Sequence, residues 1–159
     1  MNFNNNEILI LGMGNDILMD DGIGPKLVKE LQQMYPFDKV KYDTACVGGM
    51  EILEYIQGYQ KVILIDAIKT KGGIPGTVYE FTPDDFKETL HLSNLHDISF
   101  LTALKFGGKI GMQIPEEIKI IAVEIIEDMT FGDEFTPELK KKYPAIFNEV
   151  SAIIKKMIA

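Results

Sequence analysis

The chain has 159 residues, of which 46% are hydrophobic and 25% charged, and 16 Lys and Arg against 24 Asp and Glu give a net charge of −8. This composition argues against disorder and predicts one folded domain over residues 1–159. The negative charge argues against binding nucleic acid by general attraction. A single cysteine, Cys46, excludes an intramolecular disulfide and a multi-cysteine zinc site.

The N-terminus shows no secretory signal, and the apolar runs are too short to span a bilayer. We therefore expect a cytoplasmic protein with no membrane partner. We also expect a monomer.

The first half of the chain predicts three strands separated by two helices. Two of the strands are continuous apolar runs, which is typical of strands covered on both faces. The predicted elements are a strand at Ile8–Leu11 ending at Gly12-Met13-Gly14, a helix from Gly22 to Tyr35, a weaker strand at Val40–Ala45, a helix after Gly48-Gly49, and a strand at Lys61–Ala67.

The second half continues the alternation of strands and helices. It predicts a strand at Thr77–Phe81, a short helix from Thr82, a helix at His96–Phe106, a strand at Ile118–Ile126, and a terminal helical region from Thr136 that Pro144 should kink or restart. Alternation of this kind predicts an α/β three-layer sandwich with a mostly parallel sheet. Ligands of such sheets bind outside the carboxyl ends of the strands, so we expect the chemistry near Gly14 and Asp66.

The densest motif is the segment 12–24, Gly-Met-Gly-Asn-Asp-Ile-Leu-Met-Asp-Asp-Gly-Ile-Gly. It is consistent with a tight strand-to-helix turn in which Asp20 or Asp21 caps the helix. Gly12-x-Gly14 also suggests dinucleotide binding, but the third glycine of that fingerprint falls on Ile17. Two carboxylates also stand where a pyrophosphate would need neutral amides.

Asp66 and the histidines leave two interpretations open. Asp66 either caps the turn after its strand or serves as a metal ligand or acid–base group. His96, at the start of a predicted helix, is either a cap or a ligand, whereas His91 has no motif around it and is predicted to be structural. Two carboxylates and one imidazole suit Zn, Fe, Mn or Ni, but fall short of the four ligands of a structural metal site.

These motifs together resemble the nickel–iron hydrogenase maturation proteases. The resemblance covers nearly the whole chain. It is carried by Gly12-x-Gly14 through Gly24, Gly48-Gly49-Met50-Glu51, Val62–Ala67 with Pro75-Gly76-Thr77, Ser93-x-x-His96-Asp97-Ile98, and Phe135-Thr136-Pro137.

The resemblance implies a five-stranded twisted sheet between helices and an endopeptidase activity. Members of the family remove a C-terminal extension from the hydrogenase large-subunit precursor after nickel insertion, so that precursor is the implied partner. The family's metal-contacting residues match Asp21, Asp66 and His96, with Asp20 a structural member of the motif. The nickel is expected to arrive with the precursor.

The residues do not carry the signature of a nucleophilic protease, since Cys46 lacks an assigned base. Metal-assisted hydrolysis remains, in which nickel polarises the carbonyl or activates water and a carboxylate takes a proton. The competing class is a non-catalytic module that senses nickel on a partner. We expect Asp21, Asp66 and His96 to converge at one end of the sheet, and His91 to lie outside this cluster.

Overall fold

The structure is a computed structural model, and it describes residues 7–48, 50–85, 88–92 and 99–159. It contains five strands and four α-helices in these ranges. In chain order they are β1 (Ile8–Met13), α1 (Ile23–Met34), β2 (Val40–Ala45), α2 (Glu51–Ile56), β3 (Lys61–Ile68), β4 (Val78–Phe81), α3 (Phe100–Lys109), β5 (Glu117–Glu124) and α4 (Pro137–Ile158).

The five strands form one sheet in the order β2-β1-β3-β5-β4. All neighbours are parallel except β4, which pairs antiparallel with β5 at the edge. The prediction of an α/β fold with a mostly parallel sheet is confirmed. Parallel pairing places the carboxyl ends of β1, β3 and β5 at the same edge. Asp21, in the turn after β1, and Asp66, near the end of β3, lie at this edge.

Two apolar layers enclose the sheet, which explains the uninterrupted apolar runs of its central strands. On β1, the side chains of Leu9 and Leu11 enter the layer covered by α2 and α3. Ile10, between them, enters the layer covered by α1 and α4. Alternate residues of a strand point to opposite faces, so a strand between two helical layers must be apolar at every position.

The ends of several elements differ from the sequence prediction. The 3₁₀ turn Met19–Gly22 was not predicted. The helix that the sequence starts at His96 is described from Phe100, where the Ser99 hydroxyl accepts a hydrogen bond from the Thr102 amide at 3.1 Å. The start at His96 falls among residues 93–98, outside the described ranges.

The sequence predicts that Pro144 kinks or restarts the terminal helix. The restart is wrong, because α4 runs without interruption from Pro137 to Ile158. Pro144 lies on the exposed side of this helix. Water can satisfy a carbonyl that a proline leaves without its amide donor, and the flanking apolar residues pack the helix down on both sides of it. No helix in the described ranges has the length and apolar character to cross a membrane.

Candidate functional site

Two glycines of the first motif bring α1 against the sheet at the point where β1 ends. A Cβ atom on Gly24 would lie 2.5 Å from the Met13 carbonyl oxygen and 2.6 Å from that of Ile65. A Cβ atom on Gly14 would lie 2.0 Å from the carbonyl oxygen of Asp21. Such distances exclude any side chain, so the motif's glycines allow the turn that carries Asp21 to fold back tightly onto β1.

Asp20 and Asp21 are adjacent in the 3₁₀ turn but have different environments. Asp20 is completely buried, and its carboxylate accepts hydrogen bonds from the backbone amides of Ile126, Glu127 and Thr136 and from the Thr136 hydroxyl at 2.7–3.1 Å. It therefore ties the turn to segment 126–136 between β5 and α4. The interpretation of Asp20 as structural agrees with these contacts.

Asp21 faces the other way, toward the carboxyl end of β3. Its Oδ2 accepts a hydrogen bond from the Asn15 amide at 2.9 Å and lies 3.6 Å from Nε2 of His91. Its Oδ1 is buried and has no hydrogen-bond partner among the described residues. An orphaned buried carboxylate oxygen costs free energy and is typical of a site that receives a ligand.

Asp66 lies on β3 itself, paired in register with Ala122 of β5. Its side chain is fully buried, and Oδ1 accepts a hydrogen bond from the Ala67 amide at 2.9 Å. Oδ1 also lies 2.7 Å from Nδ1 of His91, and Oδ2 accepts from the His91 amide at 2.8 Å. Because a carboxylate can only accept, Nδ1 of His91 is the donor to it.

His91 thus lies between the two predicted carboxylates, and the prediction that it lies outside the cluster is wrong. The segment before it is anchored where the Leu90 amide donates to the Ala67 carbonyl at 2.9 Å, next to Asp66. This pairing is a tertiary contact between residues far apart in sequence, so no local pattern indicated it. His96, the predicted third member, lies outside the described residues.

The charges around His91 shift two pKa values. Burial opposes charging of the imidazole, but the hydrogen bond and charge of Asp66 and the charge of Asp21 outweigh it, so the pKa of His91 is raised. Burial also raises the pKa of Asp21, which His91 and the Asn15 amide only partly offset.

Asp128 is a further acidic residue that sequence reasoning missed. Its charge acts on both Asp21 and His91, and its carboxylate forms an ion pair with Lys69 at 3.1 Å. It follows β5 at the sheet edge where Asp21 and Asp66 lie. The rule that ligands bind at the carboxyl ends of parallel strands selected the ends of β1 and β3. Applied to β5, the same rule would have indicated Asp128.

These side chains do not form a ready-made metal site. In the described ranges, no group of three or more His, Cys, Asp or Glu is arranged to hold a metal ion. Both ring nitrogens of His91 already face carboxylates. Nδ1 is hydrogen-bonded to Asp66, and Nε2 lies 3.6 Å from Asp21. The dinucleotide interpretation is also disfavoured, because the Asn15 amide that a phosphate would need is bound by Asp21.

Cys46 lies apart from these residues. It is exposed and borders a cleft of about 140 Å³ with Gly14, Asp16 and Lys29, and no histidine of the described chain lines this cleft. Among the described residues, a thiol there has no histidine base beside it.

Comparison with known proteins decides what kind of molecule carries this site. A family model described as hydrogenase maturation protease matches residues 25–153. The chain belongs to the hydrogenase maturation protease family. The resemblance read from the motifs is thereby confirmed, together with the prediction of a peptidase rather than a nucleotide-binding domain. The alternative of a non-catalytic nickel-sensing module gains no support.

Individual relatives agree with this assignment over nearly full length. The chain is 29% identical to the hydrogenase 2 maturation protease of Escherichia coli, over 93% of this chain and 90% of that protein. The solved structure of the hydrogenase maturating endopeptidase HybD from E. coli is 25% identical, with a TM-score of 0.70 over 95% of this chain and 93% of its own. A solution structure of an endopeptidase from the same organism is 27% identical, with a TM-score of 0.74 over the same shares.

Proposed function

We propose that this protein is the endopeptidase that removes the C-terminal extension of a nickel-loaded nickel–iron hydrogenase large-subunit precursor. The observation that carries the proposal is the orphaned Oδ1 of Asp21 beside the imidazole that Asp21 shares with Asp66. Family membership indicates the class of reaction, which is peptide hydrolysis. The buried carboxylates of the site offer ligands to a cation that the substrate brings.

Nickel is substrate cargo in this proposal, and Asp21, Asp66 and His96 are its protein contacts. The described side chains form no complete coordination set, so the ion's remaining ligands come from the precursor. His91 is a positioning residue, because its hydrogen bond orients the Asp66 carboxylate. It also balances the two buried carboxylates while no cation is present.

The chemistry that follows is hydrolysis assisted by the bound ion. Nickel polarises the scissile carbonyl or activates a water molecule. A carboxylate, that of Asp21 or Asp66, takes a proton in the same step. We place the reaction in the cytoplasm, with the hydrogenase large-subunit precursor as the partner. We take the protease to be a monomer.

The test is incubation of the purified protein with nickel-loaded precursor, followed by intact mass measurement. We expect the precursor to shorten by one C-terminal peptide, with release of that peptide at a matching mass. A precursor that is bound but keeps its full mass would refute the protease proposal and favour a sensing role.

A further inference from the structure

The imidazole of His91 lies between the two buried carboxylates of the site. Its Nδ1 donates to Oδ1 of Asp66 at 2.7 Å, and its Nε2 lies 3.6 Å from Oδ2 of Asp21. An ion bound by both carboxylates at about 2.0–2.2 Å would bring an oxygen of one within about 4.4 Å of an oxygen of the other. The oxygens that face His91 are instead held apart by the ring.

Asp66 is the carboxylate that His91 engages most completely. It accepts hydrogen bonds from the amides of Ala67 and His91, at 2.9 Å and 2.8 Å, and from the His91 ring at 2.7 Å. A carboxylate offers about four lone-pair sites, so an incoming ion competes with these donors for Asp66. The two amides are fixed by the backbone. Of these three donors, the ring is the one that a side-chain rotation can release.

The backbone around His91 is anchored, but its ring borders solvent. The Leu90 amide donates to the Ala67 carbonyl at 2.9 Å, and Leu92 is buried in the apolar layer covered by α2 and α3. The side chain of His91 itself is 17% exposed. The ring can therefore turn toward water about its side-chain torsions while the segment 90–92 stays in place.

Asp21 has an oxygen free to receive an ion beside this ring. The residue is buried, and its Oδ1 has no hydrogen-bond partner within the part of the chain that the structure describes. Two buried carboxylates need a donor or a positive charge between them, and an imidazole and a metal ion both meet that need. His91 and a free ion therefore compete for the same two carboxylates.

We infer that His91 is a specificity-determining residue, which fills the cation position of the free protein and turns away before one ion contacts both Asp21 and Asp66. The affinity for a free ion is lowered by the fraction of molecules in which the ring has turned away. An ion delivered with the precursor adds the contacts between the two proteins, so more binding free energy is available to displace the ring. This inference rests on the proposed function, in which the ion binds between these carboxylates.

The first test titrates Ni²⁺ into the protein without a polyhistidine tag and with no precursor present. H91A removes the ring, so its Kd for Ni²⁺ should be about tenfold or more below that of the wild type, as expected if the ring is turned away in about a tenth of the molecules or fewer. Ni²⁺ should also raise the Tm of H91A by more than that of the wild type, because a ligand stabilises the fold according to its affinity.

The matched control is L92A, which opens a core cavity one residue away and keeps the ring of His91. We expect L92A to unfold at a lower temperature than the wild type, with no larger gain in Tm from Ni²⁺. A merely structural role of His91 would give H91A the same behaviour.

The second measurement follows the ring in the wild-type protein, so it does not depend on the folding of a variant. Zn²⁺ is the probe, because it is diamagnetic and accepts the same carboxylate and imidazole ligands. In the NMR spectrum, the signal of the Nδ1 proton that His91 donates to Asp66 should be lost as Zn²⁺ fills the site. Persistence of this signal at saturating Zn²⁺ would overturn the inference.

The titration can overturn the inference as well. An unchanged Ni²⁺ affinity in H91A would show that the ring does not compete with the ion, and a weaker affinity would make His91 a ligand. An equal gain in Tm for L92A and H91A would also contradict it. If the wild-type protein cleaves nickel-loaded precursor but H91A binds Ni²⁺ no more tightly, only this inference fails. If H91A binds Ni²⁺ more tightly but the wild-type protein leaves the precursor uncut, only the proposed function fails.

Discussion

At the scale of single residues, the site is a set of acids around one imidazole. The carboxylate of Asp66 is fully buried and receives donors from the Ala67 amide and from the backbone and ring of His91. Asp21 keeps one oxygen without a partner in the described chain. This unpartnered oxygen is the feature on which the proposed cation site rests.

The first prediction concerns the residues that we propose to contact nickel. D66N and H96A should each lower precursor cleavage by at least about 100-fold, the order expected when a group essential to the chemical step is lost. Asparagine has the same size as the Asp66 side chain, so D66N opens no cavity in the core. Cleavage rate and thermal unfolding are measured together.

D84N is the control for the charge change, because Asp84 is exposed in a short 3₁₀ turn after β4. Its cleavage rate should equal that of the wild type. Normal processing by D66N or H96A would show that the replaced residue does not contact nickel, and a failure to fold would assign it a structural role.

The second prediction concerns the ionisation of His91. Its pKa is raised in the folded protein, since the nearby carboxylates outweigh burial. When the pKa of a histidine is higher in the folded protein than its value of about 6.5 in the unfolded chain, protonation stabilises the fold. This stabilisation is fully present at pH values below about 6.5. The stabilisation is lost as the pH rises through the higher, folded pKa.

NMR titration of the His91 ring should therefore give a pKa above about 6.5, and D21N should lower it by removing one of the charges. In thermal unfolding, H91Q should lose more stability relative to wild type at pH 6 than at pH 9. A His91 pKa at or below about 6.5, or an equal loss of stability in H91Q at both pH values, would contradict the conclusion that the nearby carboxylates stabilise the charged imidazole.

At the scale of elements, the packing of α1 on the sheet sets the position of the Asp21 turn. The closest approach is at Gly24, where a Cβ atom would lie 2.5 Å from one strand carbonyl and 2.6 Å from another. No rotamer relieves a collision between a Cβ atom and backbone, so α1 would have to move away from β1 and β3.

The third prediction is that G24A destabilises the fold by about 3 kcal/mol or more, as overpacking of a core contact does. G108A is the matched control, because Gly108 lies within α3 and its added Cβ would have no atom closer than 4.0 Å. Alanine should stabilise that helix by about 0.5–1 kcal/mol. Chemical denaturation of both variants measures the difference, and equal effects would show that the close approach at Gly24 is unimportant.

At the scale of the whole molecule, the site is formed by loops from three separate parts of the chain. They are the turn after β1, the segment 88–92 anchored beside the end of β3, and the loop after β5. The side chains that the structure describes there do not constitute a metal site by themselves. We propose that the complete coordination sphere is a property of the complex with the precursor.

The fourth prediction follows from this shared coordination. The purified protein should contain little nickel, and it should cleave nickel-loaded precursor but not the nickel-free form, because only the loaded form brings the ion and its remaining ligands. Metal analysis of the protein and parallel mass measurements of both precursor forms provide the check. Equal cleavage of the two forms would refute recognition through nickel, while the protease assignment would stand.

The sequence alone determined the layers of the fold and much of the site. The apolar runs of β1 and β3 are local patterns, and they identify strands buried on both faces whatever the neighbours are. The carboxyl-edge rule then selected Asp66 and the turn after β1, and the family resemblance selected Asp21 within that turn. The structure brings both carboxylates to the same imidazole. The motif spacing also indicated the family.

Tertiary structure alone decided which histidine contacts these acids and what Asp20 does. His91 meets Asp66 across 25 residues of sequence, and Asp20 meets Thr136 across 116. Local periodicity reports which face of an element is buried, but it contains no information on which distant loop pairs with it. Those pairings depend on backbone hydrogen bonds and packing that exist only after the sheet has assembled.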